Sequence, residues 1–219
     1  MRSLIIVGNG SYARMMKRYI ELTDYGKVIA YTVDEEYIQE DMQDGVKVCS
    51  PKELMASFPC EDLALIMGIG YKQMGNIRES MFKKYKSLGY GFENYIHPTA
   101  IIEKNVTLGE GNNILEGVIL EESVVLGDAN LLFGGSIVAH ETVLGSFNTL
   151  SVRAVVAGCA CIGNHCFIGA SGVVKDHVKF EDYVLLGASA YGFQDMEQYS
   201  VVVPARSNRL EGRSSMEFL

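Results

Sequence analysis

His140 and Glu141 are neighbours in a chain with only four histidines. An imidazole with an ordinary pKa of about 6.5 exchanges protons at neutral pH. A carboxylate beside it holds one tautomer and stabilises the imidazolium, so the pair suits general-base work. His140 lies two places after Val138, one of a series of evenly spaced aliphatic residues, which puts it in a turn facing outward. The competing reading is a solvated turn histidine. A second pattern is VGNGSYA (7–13), which fits GxGxxA with Gly8, Gly10 and Ala13. Between a strand and a helix, such a loop leads bare backbone amides to a phosphate. Its plainer reading is a tight strand–helix turn. Cys159, Cys161 and Cys166, with His165, invite a zinc site. Their spacing lacks the paired CxxC knuckles of structural zinc sites, so they read as small residues packed inside a solenoid and no metal is expected.

Two kinds of sequence must position these groups. Residues 1–95 alternate apolar runs with amphipathic stretches. SLIIVG (3–8), KVIAYTV (27–33), GVKVCS (45–50) and LALIMGIG (63–70) read as strands. Residues 11–22 and 75–90 read as helices, and Pro51 fits the first turn of a third helix capped by Ser50. The alternation predicts a parallel sheet with helices on its faces. From residue 96 the period changes. Ile102, Leu108, Ile114, Leu120, Leu126, Leu132, Val138, Leu144, Leu150, Val156, Ile162, Ile168, Val174, Phe180 and Leu186 recur every six residues. Each hexapeptide supplies a short strand and a turn, and three complete a coil that rises about 4.8 Å, one strand spacing. The repeated residue points inward and stacks on its equivalents in neighbouring coils. Small or β-branched residues precede it by two places, among them Val118, Thr142 and Ala160. Glycine follows it at 109, 127, 145, 163, 169 and 187, where permissive turn angles are expected. Tyr191, Gly192 and Phe193 break the pattern, SVVVPAR (200–206) reads as a closing strand, and 207–219 as a polar tail.

Composition excludes several classes. The net charge is −8 with no basic stretch, which disfavours nucleic acid and anionic membrane surfaces. The apolar run Leu4–Val7 is too short for a signal peptide and no run of about eighteen apolar residues exists, so a cytoplasmic protein is expected. Five cysteines, an odd number, are expected to be free thiols.

The α/β segment, then YIHPTAII (95–102), then the repeat with HETVLG (140–145), resembles the bacterial nucleotide-sugar acetyltransferases with hexapeptide repeats. That group includes enzymes of the bacillosamine, perosamine and viosamine pathways and the sialic-acid O-acetyltransferases. The resemblance covers residues 2 to about 206. It implies a Rossmann-like nucleotide-sugar domain (1–95) and an acetyltransferase domain (96–206) built as a left-handed β-helix, an exception to the usual right-handed crossover. It further implies acetyl-CoA as co-substrate and a homotrimer with active sites between subunits. Residue by residue, His140 would be the base, Glu141 its support and the Gly158 amide the oxyanion donor. Several relatives carry a second histidine where this chain has Asn148, which would bind the thioester or pantetheine without acting as a base. LLGASA (185–190), with Gly187, resembles the stretch that carries the pantetheine arm, and PAR (204–206) resembles the family's closing Pro-Ala-basic motif, which would set Arg206 at a CoA phosphate. Gly8, Gly10, Ser11 and Tyr12 would hold the sugar diphosphate, with Tyr12 replacing a histidine of the relatives. Asp34 and Glu35 would meet the base, and Gly70, Tyr71 and Lys72 the same crevice. The expected activity is N-acetylation of a 4-amino-4,6-dideoxy sugar on dTDP or UDP, for surface polysaccharide. O-acetylation of a sugar hydroxyl and a non-enzymatic scaffold are the rivals. A γ-type carbonic anhydrase shares the β-helix, but the four histidines here do not follow its ligand pattern.

Overall fold

A computed structural model describes residues 2–58, 63–209 and 211–217. The N-terminal α/β unit opens with β1 (Ser3–Val7), four of whose five residues are buried. Helix α1 (Ser11–Leu22) covers it with Ala13, Met16 and Ile20, spaced to share one helical face. Strands β2 (Lys27–Thr32), β3 (Met42–Gln43) and β4 (Val46–Cys49) follow. Helix α2 (Pro51–Ser57) starts with a capping box in which Ser50 and Glu53 exchange hydrogen bonds, with proline in the first turn. Then come β5 (Ala64–Met67), α3 (Asn76–Ser87) and β6 (Gly91–Phe92). The sheet order is β3-β4-β2-β1-β5-β6, parallel except for the β3–β4 hairpin, which the sequence reading did not anticipate. With that hairpin strand set aside, the strand order is that of half a doubly wound nucleotide-binding sheet, whose switch point lies between β1 and β5.

The remainder is a three-faced parallel β-helix. Its first face stacks seven strands, Tyr95–Ile96, Asn113–Ile114, Leu131–Leu132, Thr149–Leu150, Phe167–Ile168, Leu185–Leu186 and Val201–Val202. The second face has six strands, Ile101–Ile102 through Tyr191–Gly192, and the third has five, Thr107–Leu108 through Lys179–Phe180. Partners are eighteen residues apart, as in Asn113↔Leu131 and Leu131↔Thr149. The inward aliphatic residues from Ile114 to Leu186 form one continuous core. Each fully buried aliphatic side chain contributes about 1.5–3 kcal/mol.

Two expectations need correction. The glycines after the inward residue do not supply the left-handed backbone. That conformation falls on every sixth residue from Asn105 to Ser189, with φ between 49° and 71°, and only three of these positions are glycine. The cost of about 1–2 kcal/mol at each non-glycine corner is offset by coil-to-coil hydrogen bonds such as Glu141 N–H to the Glu122 carbonyl. The glycines are needed for close approach instead. A Cβ on Gly127 would lie 2.8 Å from the carbonyl carbon of Gly145 in the next coil. The second correction concerns Tyr191 and Gly192, which continue the second face as a strand paired with Val173–Val174. Gly192 takes the inward place because the Phe180 ring fills it, and a Cβ there would meet that ring at 2.4 Å. The final coil is shorter by two residues, since Val201 pairs with Leu185.

Candidate active site

His140 and Glu141 occupy the corner between the second and third faces, after strand Ile137–Val138 and before Val143–Leu144. The backbone there is held from both sides. His140 N–H donates to Glu121 Oε2 at 2.9 Å, and its carbonyl accepts from Cys159 N–H at 2.9 Å. His140 Nδ1 lies 3.3 Å from Glu141 Oε2. Both side chains are open to solvent, 57% and 68% exposed, so reactants can reach them. Gly158 sits eighteen residues on, in the next coil, directly against the imidazole. A Cβ at Gly158 would be 2.5 Å from His140 Nε2. Glycine is therefore required for the ring to lie where it does. The Gly158 N–H donates no hydrogen bond among the described residues. The Cys159 thiol lies 3.7 Å from Glu141 Oε2.

The surfaces flanking this corner are apolar. Outward positions of the second face carry Ile101, Ile119, Ile137, Val155, Val173 and Tyr191. Val125 and Val143 project from the third face, 40% and 43% exposed. The first face is different, because the α/β unit covers its earlier coils and leaves Asn113, Leu131 and Thr149 buried. In a triangular prism the corner between the second and third faces lies opposite the first. The α/β unit and His140 of one chain are thus on opposite sides of the β-helix.

The Gly8 and Gly70 loops lie side by side at the carboxyl ends of β1 and β5. Gly8 has φ 104°, and a Cβ there would press on Ile69 and the Gly68 carbonyl, so the two loops touch. Gly10 caps α1 without a side-chain bond, and Ser11 is exposed beside it. Tyr12 turns away from this loop. Its hydroxyl accepts from Asn113 Nδ2 at 3.0 Å, and its ring leans on Phe133, so it is bound in the seam with the β-helix. Burial pushes its pKa well above that of an ordinary phenol. It does not stand in for a loop histidine. Asp34 is ion-paired with Lys84 of α3, and Glu35 starts a short 3₁₀ turn beside a concavity of about 410 Å³ that also includes Lys52. Tyr71 is 53% exposed and packs against Phe133 and Phe167. Lys72 opens a turn in which Gln73, Met74 and Gly75 all have left-handed backbone.

Arg78 of α3, fully buried, was not singled out from the sequence. Its Nε donates to the Ala129 carbonyl at 2.7 Å, Nη1 to Gly70 at 2.9 Å and Nη2 to Phe147 at 2.5 Å. It ties the Gly70 loop to two coils of the β-helix. Desolvation lowers its pKa to about 10.

Asn148 is misplaced for acetyl-CoA. It is fully buried in a ladder formed by Asn94, Asn112, Asn130 and Asn148 along one corner. Its Nδ2 donates to the Gly163 carbonyl and its Oδ1 accepts from Cys166 N–H, which leaves the amide group no reach to a surface ligand. The eighteen-residue spacing of these asparagines was the available signal for this role. The cysteines also separate. Cys161 faces outward on the third face, while Cys166 is buried, its thiol pushed up to about 12. His165 stacks between Phe147 and Tyr183, with Nδ1 3.0 Å from the Met74 carbonyl and Nε2 3.3 Å from Glu79. Cys60 lies outside the described residues. His97 bonds Thr99, and His177 is an exposed turn residue near Asp176. At the far end, Gly187 bonds the closing strand through the Val202 carbonyl, and Arg206 is exposed beyond it. A second concavity, of about 340 Å³, is lined by Cys161, Lys179 and Asp182 and not by His140.

Residues 3–85 match the PglD N-terminal domain. No curated protein sequence matches the chain. Among solved structures, a histidine-to-alanine mutant of GDP-perosamine N-acetyltransferase from Caulobacter crescentus, in complex with CoA and GDP-perosamine, is similar with a TM-score of 0.80 and 24% identity. The match covers 94% of this chain and 96% of that one. The acetyltransferase domain of PglB from Neisseria gonorrhoeae FA1090 gives a TM-score of 0.79 and 21% identity, over 92% of this chain and 96% of that one. WeeI from Acinetobacter baumannii AYE gives 0.57 and 16%, over 87% and 96%. The chain shares their fold, an α/β unit followed by a left-handed parallel β-helix.

Proposed function

We propose that this chain is an acetyl-CoA-dependent N-acetyltransferase for a nucleotide-linked 4-amino-4,6-dideoxy sugar. The observation that carries the reading is the His140 corner, where a proton acceptor, its carboxylate and a free backbone N–H meet on rigid coils. The sugar amine attacks the thioester carbonyl directly, and His140 takes the proton that the amine loses. Glu141 on Nδ1 keeps Nε2 available and stabilises the imidazolium. The Gly158 N–H stabilises the oxyanion. The tetrahedral intermediate then collapses, breaking the C–S bond, and the His140 imidazolium returns the proton to sulfur, so CoA leaves as the thiol.

The crevice of Gly8, Gly10, Ser11, Gly70, Tyr71 and Lys72 holds the nucleotide sugar, with Asp34 and Glu35 toward a dTDP or UDP base. A solved relative of the same fold bound to CoA and GDP-perosamine supports this pairing of ligands. Gly187 and Arg206 serve the pantetheine arm and a CoA phosphate. The opposed positions of His140 and the α/β unit favour a site completed by a neighbouring copy. The apolar outward rows beside His140 supply the contact area for a homotrimer. No helix of the described residues is long and apolar enough to cross a membrane. We place the protein in the cytoplasm, supplying surface-polysaccharide synthesis.

A thermal-shift panel of dTDP-, UDP- and GDP-linked amino sugars, with and without acetyl-CoA, tests the reading. A ligand at a hundred times its Kd adds about 2.7 kcal/mol to native stability. One nucleotide sugar and acetyl-CoA should each raise Tm. Absence of any shift with acetyl-CoA overturns the enzymatic reading.

A further inference from the structure

The geometry points to a site for a borderline-soft divalent cation, Zn²⁺ by chemistry, formed by His140, Glu141 and Cys159. This departs from the expectation of a metal-free chain, and it uses a different cysteine set from the one the spacing suggested. Imidazole, carboxylate and thiol ligand atoms here all lie within 4.8 Å of one another. Two of the three separations already have tetrahedral edge lengths. With zinc bonds of about 2.0–2.3 Å, a tetrahedron needs an N···O edge of about 3.4 Å and an S···O edge of about 3.6 Å. Nδ1 of His140 is 3.3 Å from Glu141 Oε2, and Sγ of Cys159 is 3.7 Å from the same oxygen.

The backbone fixes where these side chains originate. Glu141 and Cys159 are equivalent corner residues of successive coils, both with left-handed φ, 56° and 58°. Their coils are tied by the hydrogen bond from Cys159 N–H to the His140 carbonyl. Three protein ligands with an exposed fourth direction leave room for water, as in open zinc sites. A thiol and an imidazole together discriminate against Mg²⁺ and Ca²⁺, which take oxygen ligands. Cys159 enters as thiolate, so binding releases its proton to solvent. Partial desolvation and the Glu141 carboxylate, with Asp176 nearby, push that thiol upward in the metal-free state.

The consequence rests on the proposed function. An ion here takes Glu141 away from His140 and claims the imidazole, so Zn²⁺ inhibits acetyl transfer. Cys159 has no part in the transfer itself, and Cys159→Ala should keep metal-free activity while losing zinc sensitivity.

Binding is read without any activity by titrating the full chain with Co²⁺. The expected signal is an intense near-ultraviolet thiolate-to-cobalt band, displaced by Zn²⁺, lost in Cys159→Ala and shifted to higher Co²⁺ concentration in Glu141→Gln. An equal band in Cys159→Ala assigns the ion to another cysteine and overturns the site, as does the absence of any band. Zinc inhibition that persists in Cys159→Ala overturns the inhibitory role. An inactive chain that still binds Co²⁺ through Cys159 counts against the acetyltransferase reading and leaves the metal site standing.

Discussion

Replacing Gly158 by alanine adds one methyl group at the point where the catalytic proposal is most exposed to test. The new Cβ would stand 2.5 Å from His140 Nε2, 2.6 Å from Cε1 and 3.1 Å from Cδ2. Non-bonded atoms prefer about 3.5–4.0 Å, so the ring must retreat by about 1 Å. The backbone has no objection, since Gly158 is outside the left-handed region. The ring is 57% exposed and free to swing outward, so the stability cost stays within about 0.5 kcal/mol. A base displaced by about 1 Å costs about a hundredfold in rate, or about 2.7 kcal/mol of transition-state stabilisation. The assay is release of free CoA thiol under saturating acetyl-CoA and nucleotide sugar, with Tm measured in parallel. The expected result is kcat down about a hundredfold, an unchanged Tm and near-normal acetyl-CoA affinity. Turnover within threefold of the parent chain would refute the placement of His140 against Gly158 as the reacting pair.

Other perturbations follow from the same structure. Arg78→Met leaves the carbonyls of Ala129, Gly70 and Phe147 without their donor, and chemical denaturation should show a loss of about 3 kcal/mol or more. Glu110 accepts from Lys86 and from Phe92 N–H, which hold its carboxyl below the usual carboxylate range. Its stabilisation is therefore present above the ordinary glutamate pKa of about 4.3 and fades as pH falls through the lower folded value; for this half-exposed pair it is at most about 1 kcal/mol. Glu110→Gln should narrow the difference in stability between pH 7 and pH 3 by that amount, and an unchanged difference would remove the ion pair from the account. Val155→Glu puts a charge in the middle of the second face's outward row. Sedimentation should show monomers with a normal circular dichroism spectrum and no turnover; an intact trimer would show that this row is not the contact.

The β-helix was legible because one physical requirement, an inward side chain at each strand, repeats without interruption from Ile102 to Leu186. The α/β elements were equally open to reading, since Ser50-Pro51 with Glu53, and the Ala13–Met16–Ile20 face, are local signals. What remained hidden was set by contacts between distant segments. Arg78 looks like a surface charge on an amphipathic helix, and only the docking of α3 on the coils buries it. The resemblance puts Asn148 at the place of a second histidine. Its actual role comes from the asparagines one, two and three coils earlier, whose spacing was present but belonged to a different corner. Tyr12 followed the loop in sequence yet was taken by Asn113 across the seam. The glycines after each inward residue were assigned to turn angles, whereas the next coil's backbone decides them.

The most direct test of the central claim is product analysis. The purified chain is incubated with acetyl-CoA and a panel of nucleotide-linked 4-amino-4,6-dideoxy sugars, and products are read by mass spectrometry beside His140→Ala. The expected product is a single N-acetylated nucleotide sugar, formed far more slowly by the variant. An acetylated hydroxyl in place of the amine, a product formed equally by His140→Ala, or no product from a folded, trimeric chain would contradict it.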